Sequence, residues 1–484
     1  MSADRKSDVL ATVPPHTGFA AGRPSVSAVF PGAVQPLAGE HAGLVARARA
    51  RLDVIGGLSD FTGGLALSVP TCDHVCVTVI PRDDDMIAIE SVRDSTTVDG
   101  SPMTVPVARL MPSPGKVVDS ADGNALLGGS NSQLVRCALG TIAELLRDGV
   151  LGNRMAGVTL KISTSFDHTT DTGAYCAVAA GTAMALTSAI AVEADRTALA
   201  RLCQRAVSSW IGVPSGISNV LSMLSPSKAG ELLRCRVQSE PTVKALPLPA
   251  GVRIVGVDCG TRNENYITRY NTARTAAFMG RVLIDRIIKH ERYTAIEWNG
   301  YVSNLSCHTY VEYFRDRLPT KIKGWDFLDR FGETGDTATR VDPDAVYKVR
   351  SRTEHHIYEN ARACEFADCI VRAGRCTDPD PLSRAGELMF ASHWSYGQRY
   401  GLGAVNTELL VRLMRRYGAK AGIYGAKVSG FGCGGVVVVL MRATDEAREA
   451  LAGAVSAYEE RSGQKTRIIP CDEQGASPER FSTQ

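Results

Sequence analysis

Residues 51–64 of this 484-residue chain, RLDVIGGLSDFTGG, contain side chains that could bind a polar substrate. Arg51 and Asp60 stand on either side of a sharp glycine turn. A carboxylate in such a place can accept hydrogen bonds from adjacent hydroxyl groups, as a hydroxyl-rich substrate would require. The same pair could instead form a salt bridge that braces the turn, and these residues alone favour neither interpretation.

Residues 425–435, GAKVSGFGCGG, carry five glycines within eleven residues and precede an apolar run, VVVVLM. Backbone N–H groups in glycine-rich loops form nests that bind anions, and the hydroxyl of Ser429 adds a further donor. The segment predicts a loop that approaches a phosphate, with the candidate residues Ser429, Gly430, Gly432 and Gly434.

Residues 166–184, FDHTTDTGAYCAVAAGTAM, run from a polar loop into an alanine-rich helix, with Gly173 at the junction. A helix N-terminus favours an anion because its N–H groups are free and its dipole is positive there. The loop also contains Asp167 and Asp171, whose negative charges oppose that preference.

The overall composition excludes several classes of protein. The 54 Lys and Arg residues nearly balance the 51 Asp and Glu residues, so no general field attracts nucleic acid or a membrane surface. The arginines in ARARAR, residues 46–51, are expected to be solvated. The 13 cysteines form no C-x-x-C pair, which favours reduced thiols in the cytoplasm and no metal site. The N-terminus lacks the apolar core of a signal peptide, and no apolar run is long enough to cross a bilayer.

The polar segments are set in an alternation of strands and helices. Strands are predicted at RLDVI and GLALSVPT, at HVCVTVI and MIAIESV as a pair across PRDDD, and at VTLKIST, GELLRCRV, VKALPLP and VRIVGVD. Helices are predicted at residues 133–148, over the alanine-rich stretch, at ALARLCQRAVSSW, through most of residues 271–417 and at Asp445 to Ser462. The apolar run VVVVLM is predicted as one buried strand. The length favours two domains. We expect a flexible arm at residues 1–37, one domain at 38–240 and a second at 241–484.

Together these segments resemble the GHMP kinases, and among them the galactokinase and arabinokinase branch. RLDVIGGLSDFTGG is similar to the first motif of that branch, and GAKVSGFGCGG to the third. Between them, VPSGISNV is similar to V-P-C-G-[IV]-M-D-Q, and VDCGTRNENYITRYNTAR to a D-S-G-x-R … Y-N-x-R stretch. The motifs occur in the family's order.

The resemblance implies an α/β fold of two domains, the first like domain 2 of ribosomal protein S5 and the second ferredoxin-like. It implies a sugar kinase with ATP and Mg²⁺ on one wall of a cleft and a monosaccharide, phosphorylated at its anomeric hydroxyl, on the other. Arg51 would lie near the reacting hydroxyl and Asp60 would accept hydrogen bonds from the sugar. Gly216 and Tyr270 would line the sugar pocket, and Gly173 and the third-motif residues would face the phosphates.

The sequence departs from the family pattern on the phosphate side. Asn219 stands where the family has its catalytic aspartate, and loss of a general base typically costs about 10²–10⁴ in rate. The serine run of the second motif is replaced by GAY at 173–175, and Phe431 replaces a glycine of the third motif. The acidic residue that often follows C-Q-x-A is absent from CQRAVSSW.

Three interpretations follow from this pattern. The chain is a sugar kinase with an atypical, impaired phosphoryl-transfer site; or a pseudokinase that binds a sugar or sugar phosphate and a partner protein; or an enzyme repurposed for a sugar-like substrate without ordinary phosphoryl transfer. Gly57-Leu58 stands where galactokinases carry Glu-His, which favours arabinokinase-like substrates over galactose.

Overall fold

The computed structural model describes residues 30, 32–37, 43–93, 97–98, 100–127, 132–152, 155–167, 169–228, 231–262, 265–376, 378–432 and 435–472. Most of the predicted N-terminal arm, residues 1–29, lies outside the described residues. Val34–Pro36 nevertheless forms a strand, β1, that pairs antiparallel with the following strand. The first sheet therefore begins within the segment that the sequence predicted as an arm.

The first sheet contains nine strands among the described residues, in the order β1-β2-β3-β7-β4-β5. β6 pairs with β4, while β8 pairs with both β3 and β9. All pairs are antiparallel except β4 with β7. The strands after β1 are β2 Leu44–Ile55, β3 Leu65–Pro81, β4 Met86–Arg93, β5 Thr97–Val98, β6 Met103–Pro106, β7 Val158–Thr164, β8 Glu231–Arg236 and β9 Thr242–Pro247.

The predicted pairing of HVCVTVI with MIAIESV is wrong. HVCVTVI belongs to the long strand β3, and β7 lies between β3 and β4, antiparallel to the first and parallel to the second. Val158, Leu160 and Ile162 of β7 are fully or almost fully buried. In the central position, β7 buries its apolar face and pairs its backbone groups on both edges. This arrangement prevails over direct pairing of β3 with β4 across the five-residue turn PRDDD.

Helices cover one face of this sheet, and the apolar core lies between the two layers. Ser132 caps α3, and its hydroxyl accepts a hydrogen bond from the N–H of Val135. Asp195 caps α5 in the same way through the N–H of Ala198. The helices of this half are α1 Val107–Leu110, α2 Ser120–Ala125, α3 Gln133–Arg147, α4 Ala174–Ala189, α5 Arg196–Ala206 and α6 Ile217–Met223.

The second sheet is four-stranded and antiparallel, in the order β13-β14-β10-β15. In chain order this is 2-3-1-4, the arrangement of a ferredoxin-like sheet. The apolar run predicted as one buried strand is β14, which lies between two neighbours. The strands are β10 Val252–Asp258, β13 Ile423–Val428, β14 Val436–Arg442 and β15 Arg467–Pro470, and the short β11 Ile322–Lys323 pairs with β12 Val346–Tyr347.

Two apolar cores complete the second half, one on each face of its sheet. α12 and α13 pack on one face, and α10 and α11 pack on the other, where the core continues onto β2 and β3 of the first sheet. The helices are α7 Tyr266–Glu291, α8 Cys307–Tyr313, α9 Gly324–Phe331, α10 Val349–Ala373, α11 Asp380–Ser395, α12 Val405–Tyr417 and α13 Asp445–Ser462.

The architecture confirms the predicted mixture of helix and sheet. The first sheet extends to Pro247 and the second begins at Val252, so residues 241–247 lie with the first sheet rather than with the second. None of the described helices combines the length and the apolar character needed to span a membrane.

Candidate functional site

The structure brings Arg51, Asp60, Gly216, Asn219 and Tyr270 together around one pocket. The pocket encloses about 550 Å³ of empty space, part of which is open to solvent. The five residues come from β2, the turn after it, the start of α6 and α7, so distant segments converge here.

Asp60 lies in a 3₁₀ turn that follows β2, and only 1% of it is exposed. One carboxylate oxygen accepts a hydrogen bond from the N–H of Phe61 at 2.7 Å. The other accepts from the hydroxyl and the N–H of Ser218, at 2.7 and 3.2 Å. A carboxylate has about four acceptor positions, so Asp60 retains one, on Oδ1, for a ligand hydroxyl. Burial raises the pKa of Asp60.

Gly216 is required by its contact with Asp60. A Cβ at Gly216 would collide with the Asp60 carboxylate. The glycine therefore allows the carboxylate to reach the first turn of α6, where the backbone N–H of Ser218 is free to donate. The segments RLDVIGGLSDFTGG and VPSGISNV therefore meet at this contact.

Arg51 is buried in β2 and oriented by two partners. It forms an ion pair with Asp53, two residues along the strand, and donates a hydrogen bond to Oδ1 of Asn219. Its backbone N–H donates to the carbonyl of Thr172 at 3.1 Å. This hydrogen bond connects β2 to the loop before α4, which stands where the family has its second motif and is called the second-motif loop below. Nε of Arg51 is buried and has no acceptor among the described residues.

Asn219 is fixed in the first turn of α6 by its two amide atoms. Oδ1 accepts from Arg51, while Nδ2 donates to the hydroxyl of Ser215 at 3.0 Å. Both contacts leave the side chain facing the pocket. A carboxamide does not take up a proton at ordinary pH, so this residue can orient a hydroxyl group but cannot act as its general base.

Tyr270 and Arg274 hold the segment that carries Gly216. The hydroxyl of Tyr270 donates to the carbonyl of Pro214 at 3.1 Å, and Arg274 donates to the same carbonyl at 3.3 Å. Arg274 also forms two hydrogen bonds of 2.8 Å with the buried carboxylate of Asp336. Burial raises the pKa of Tyr270 to about 12, so its hydroxyl remains a donor.

The predicted phosphate-binding residues divide into several groups. Gly173 and Gly430 line the pocket. Ser429 does not, because its buried hydroxyl accepts a hydrogen bond from the N–H of Asp53 at 2.8 Å. Gly432 does not either, and a Cβ at this position would collide with the ring of Tyr396. Gly434 lies outside the described residues.

The carboxylate of Asp171 occupies the glycine loop of the third motif. It accepts a hydrogen bond from the N–H of Phe431 at 2.8 Å, and a Cβ at Gly430 would collide with it. Gly430 has a φ of +60°, which opens the loop toward this carboxylate. Burial, followed by the charge of Asp53, raises the pKa of Asp171 to about 7.

Further hydrogen bonds hold the second-motif loop in this position. Arg262 forms two hydrogen bonds of 2.9 Å with the carboxylate of Asp258 and donates to the hydroxyls of Thr169 and Thr170 at 3.0 Å. Gly173 ends the loop with a φ of +82° and is the N-cap of α4. The loop is therefore anchored on both sides of Asp171.

The chain's own residues partly fill the phosphate side, where the family resemblance implies ATP and Mg²⁺. A carboxylate fills the nest that would receive a phosphate, and the ring of Phe431 lies edge-on to Tyr270 with centroids 4.8 Å apart. Within the part of the chain that the structure describes, no three His, Cys, Asp or Glu side chains are grouped so as to hold a metal ion.

Several known proteins are similar to this chain in sequence and in architecture. The chain is 26% identical to an L-arabinokinase of Arabidopsis thaliana over 90% of this chain, and 24% identical to a galactokinase of Chloroflexus aggregans over 88%. The galactokinase of Lactococcus lactis, solved in complex with galactose, superposes with a TM-score of 0.63 at 17% identity, over 88% of this chain and 93% of that one. The chain is similar in sequence and in fold to the sugar kinases of the GHMP superfamily.

The extent of these matches differs. This GHMP kinase-like chain spans 46% of the length of the arabinokinase and 91% of that of the Chloroflexus galactokinase. The mevalonate kinase of Methanococcus jannaschii shares the fold with a TM-score of 0.51 at 12% identity, over 89% of this chain and 98% of that one. No family model matches the sequence.

Some residues of the site were missed by sequence reasoning. Asp53 has the same strand phase as Arg51, and the period of two could have revealed that they share a face. Ser215 and Ser218, which hold Asn219 and Asp60, gave no comparable signal. The negative charge of Asp171 was noticed, but its hydrogen bond to a loop 260 residues away could not be deduced from sequence.

Proposed function

We propose that this chain binds a monosaccharide in the pocket around Arg51 and Asp60, as sugar kinases do, and that its phosphoryl transfer from ATP is impaired. The observation that carries the proposal is the contrast between the two sides of the pocket. Asp60 lines the pocket and accepts three hydrogen bonds of the about four that a carboxylate can accept, whereas the nest across the pocket is filled by Asp171.

The sugar side has the polar groups that a hydroxyl-rich ligand needs. Asp60 can accept from one hydroxyl group, and the buried Nε–H of Arg51 can donate to an oxygen atom. Asn219 offers an amide held between Arg51 and Ser215. A neutral sugar satisfies these groups with hydroxyls alone, and a buried donor left unsatisfied would cost about 1–3 kcal/mol.

The residues of this chain can bind and orient a sugar, but they supply no base for its hydroxyl group. The relatives named above are kinases, so a weak kinase is the first candidate for the activity. The second candidate is a pseudokinase that binds a sugar or sugar phosphate and acts on a partner protein. It is favoured by the Asp171–Phe431 hydrogen bond, which closes the phosphate side.

The proposal is tested by calorimetric titration with L-arabinose and D-galactose, using the unsubstituted chain, Asp60→Asn and Asp83→Asn. Asp83 is exposed in the turn between β3 and β4 and serves as the matched control. We expect saturable binding of one sugar, at least about tenfold weaker in Asp60→Asn and unchanged in Asp83→Asn. Equal affinity in all three proteins would exclude this pocket as the sugar site.

A further inference from the structure

Cys76 lies on the face of the first sheet opposite the helices. Along β3, Cys72, His74 and Cys76 are partly exposed, while the residues between them are buried. On the adjacent strand β2, Arg47 is the cross-strand partner of Cys76, and Arg49 is the partner of His74. The arginines of ARARAR thus flank a histidine and a cysteine.

The thiol of Cys76 lies beside both a base and a cation. His74 is two residues away on the same face of β3, and Arg47 is directly opposite on β2. Nδ1 of His74 lies 3.0 Å from the carbonyl of Cys72, a contact that orients the ring. A cysteine beside a histidine that is itself held by a third group is the arrangement that activates a sulfur nucleophile.

The other elements packed around Cys76 do not cancel this positive environment. β7 places Ser163 opposite Cys76 and Lys161 opposite Thr78, and Lys161 is paired with Glu90 at 3.0 Å. The His74 contact, as the largest cause, lowers the pKa of the Cys76 thiol and raises that of the imidazole, which favours a thiolate–imidazolium pair.

Several other cysteines in the described ranges differ from Cys76, whereas Cys364 also has a cationic partner, Arg236, at 3.6 Å. Burial raises the thiol pKa at the enclosed positions, which are Cys137, Cys176, Cys203, Cys235, Cys259 and Cys471. Cys376 is exposed at the end of α10, where its thiol contacts the carbonyl of Arg372. Exposure without a basic partner makes Cys376 a matched control.

We propose that Cys76 is a nucleophilic thiol that forms a mixed disulfide with a small disulfide carrying carboxylate groups. The Cys76 sulfur attacks one sulfur of the reagent, and the reagent's S–S bond breaks as the new bond forms. One half of the reagent leaves as a thiolate and takes up the proton held by His74. Cys76 is oxidised and the released half is reduced, while Arg47 and Arg49 attract the carboxylates.

The test uses the unsubstituted chain with oxidised glutathione, which is anionic, and with cystamine, which is cationic, followed by peptide mass spectrometry. At neutral pH we expect glutathionylation of Cys76 to be at least about tenfold faster than that of Cys376. We also expect Cys76, unlike Cys376, to prefer the anionic reagent at low salt. Equal rates at the two cysteines would overturn the proposal, and a preference for cystamine would overturn the assignment of anionic reagents.

Two variants separate the contributions of His74 and Arg47. The reaction rate at Cys76 increases with pH as the thiol is deprotonated. In His74→Gln we expect this increase to occur at a higher pH than in the unsubstituted chain, because the thiol loses its proton acceptor. In Arg47→Gln we expect the preference for the anionic reagent to fall by several-fold. Continued protection of the buried Cys137 and Cys203 from the reagent shows in each variant that the fold is intact. An unchanged pH profile in His74→Gln contradicts the proposed role of the histidine.

Discussion

The carboxylate of Asp171 accepts a hydrogen bond of 2.8 Å from the backbone N–H of Phe431. The two residues belong to the segments that resemble the second and third motifs of the GHMP kinases, between which a phosphate would be bound. The chain therefore places its own anion where the family would bind the anion of a ligand. This contact leads us to separate the sugar side of the pocket from the phosphate side.

Asp171 gives the fold a specific pH dependence. Its pKa is about 7 in the folded chain and 3.8 as the ordinary value, with Asp53, Arg51 and Arg262 as charged neighbours. At pH values between 3.8 and about 7, the Asp171 carboxyl is ionised in the unfolded chain and protonated in the folded chain. The free energy of unfolding therefore falls as the pH rises through this range. We expect Asp171→Asn to remove this loss and to gain at most about 4 kcal/mol above neutral pH.

Urea unfolding at about pH 5 and about pH 8 measures the effect. The difference in unfolding free energy between Asp171→Asn and the unsubstituted chain should be larger at the higher pH. Asp83→Asn, at an exposed position, should show no such change. A difference of the same size at both pH values would mean that Asp171 is ionised throughout this range.

Gly216→Ala should abolish sugar binding. The added methyl group would collide with the Asp60 carboxylate and push it away from Ser218. Gly374→Ala is the matched control, because a Cβ there meets only the carbonyls of Val371 and Ile370, at 3.6 and 3.7 Å. We expect at least about a tenfold loss of affinity in the first variant by calorimetry, and none in the second. Retained affinity in Gly216→Ala would show that Asp60 does not contact the sugar.

Asp336→Ala should be strongly destabilising. It leaves the buried guanidinium of Arg274 without its carboxylate, and breaking a buried ion pair on one side costs about 3–5 kcal/mol. The double variant Arg274→Met with Asp336→Ala should recover part of this loss, because it removes the unpaired charge. Chemical unfolding of the unsubstituted chain and the two variants checks both statements, and a double variant less stable than Asp336→Ala would refute them.

Asn219→Asp restores the carboxylate that the family pattern has at this position. We expect no gain in transfer of labelled phosphate from ATP to a sugar, because the hydrogen bond between Asp171 and Phe431 still closes the phosphate side. The assay uses the sugar that binds in the calorimetric screen. A gain of about tenfold or more would show that ATP already reaches the pocket and that only the general base is lacking.

Local signals predicted much of the fold correctly. The apolar run of β14 and the helix Asp445–Ser462 follow directly from hydrophobic pattern and caps. Strand partners were harder, because β3 and β4 are close in sequence yet are separated by β7, which comes about 70 residues later. The order of strands depends on long-range burial, which the spacing of turns does not record.

The candidate site divides in the same way. Arg51, Asp60, Gly216, Asn219 and Tyr270 were predicted from motifs, and the structure brings them to one pocket. The motif did not reveal that the hydroxyl of Ser429 accepts a hydrogen bond from the backbone N–H of Asp53. A hydroxyl in a glycine-rich loop can face either a ligand or the protein backbone, and only the three-dimensional contact distinguishes the two.

One titration tests most directly whether the sugar side is retained while the phosphate side is closed. The unsubstituted chain and Asp171→Gly are each titrated with the monosaccharide and, separately, with ATP and Mg²⁺. We expect both proteins to bind the sugar, and Asp171→Gly to bind ATP and Mg²⁺ at least about tenfold more tightly than the unsubstituted chain. Equally tight binding of ATP and Mg²⁺ by the two proteins would contradict the closed phosphate side.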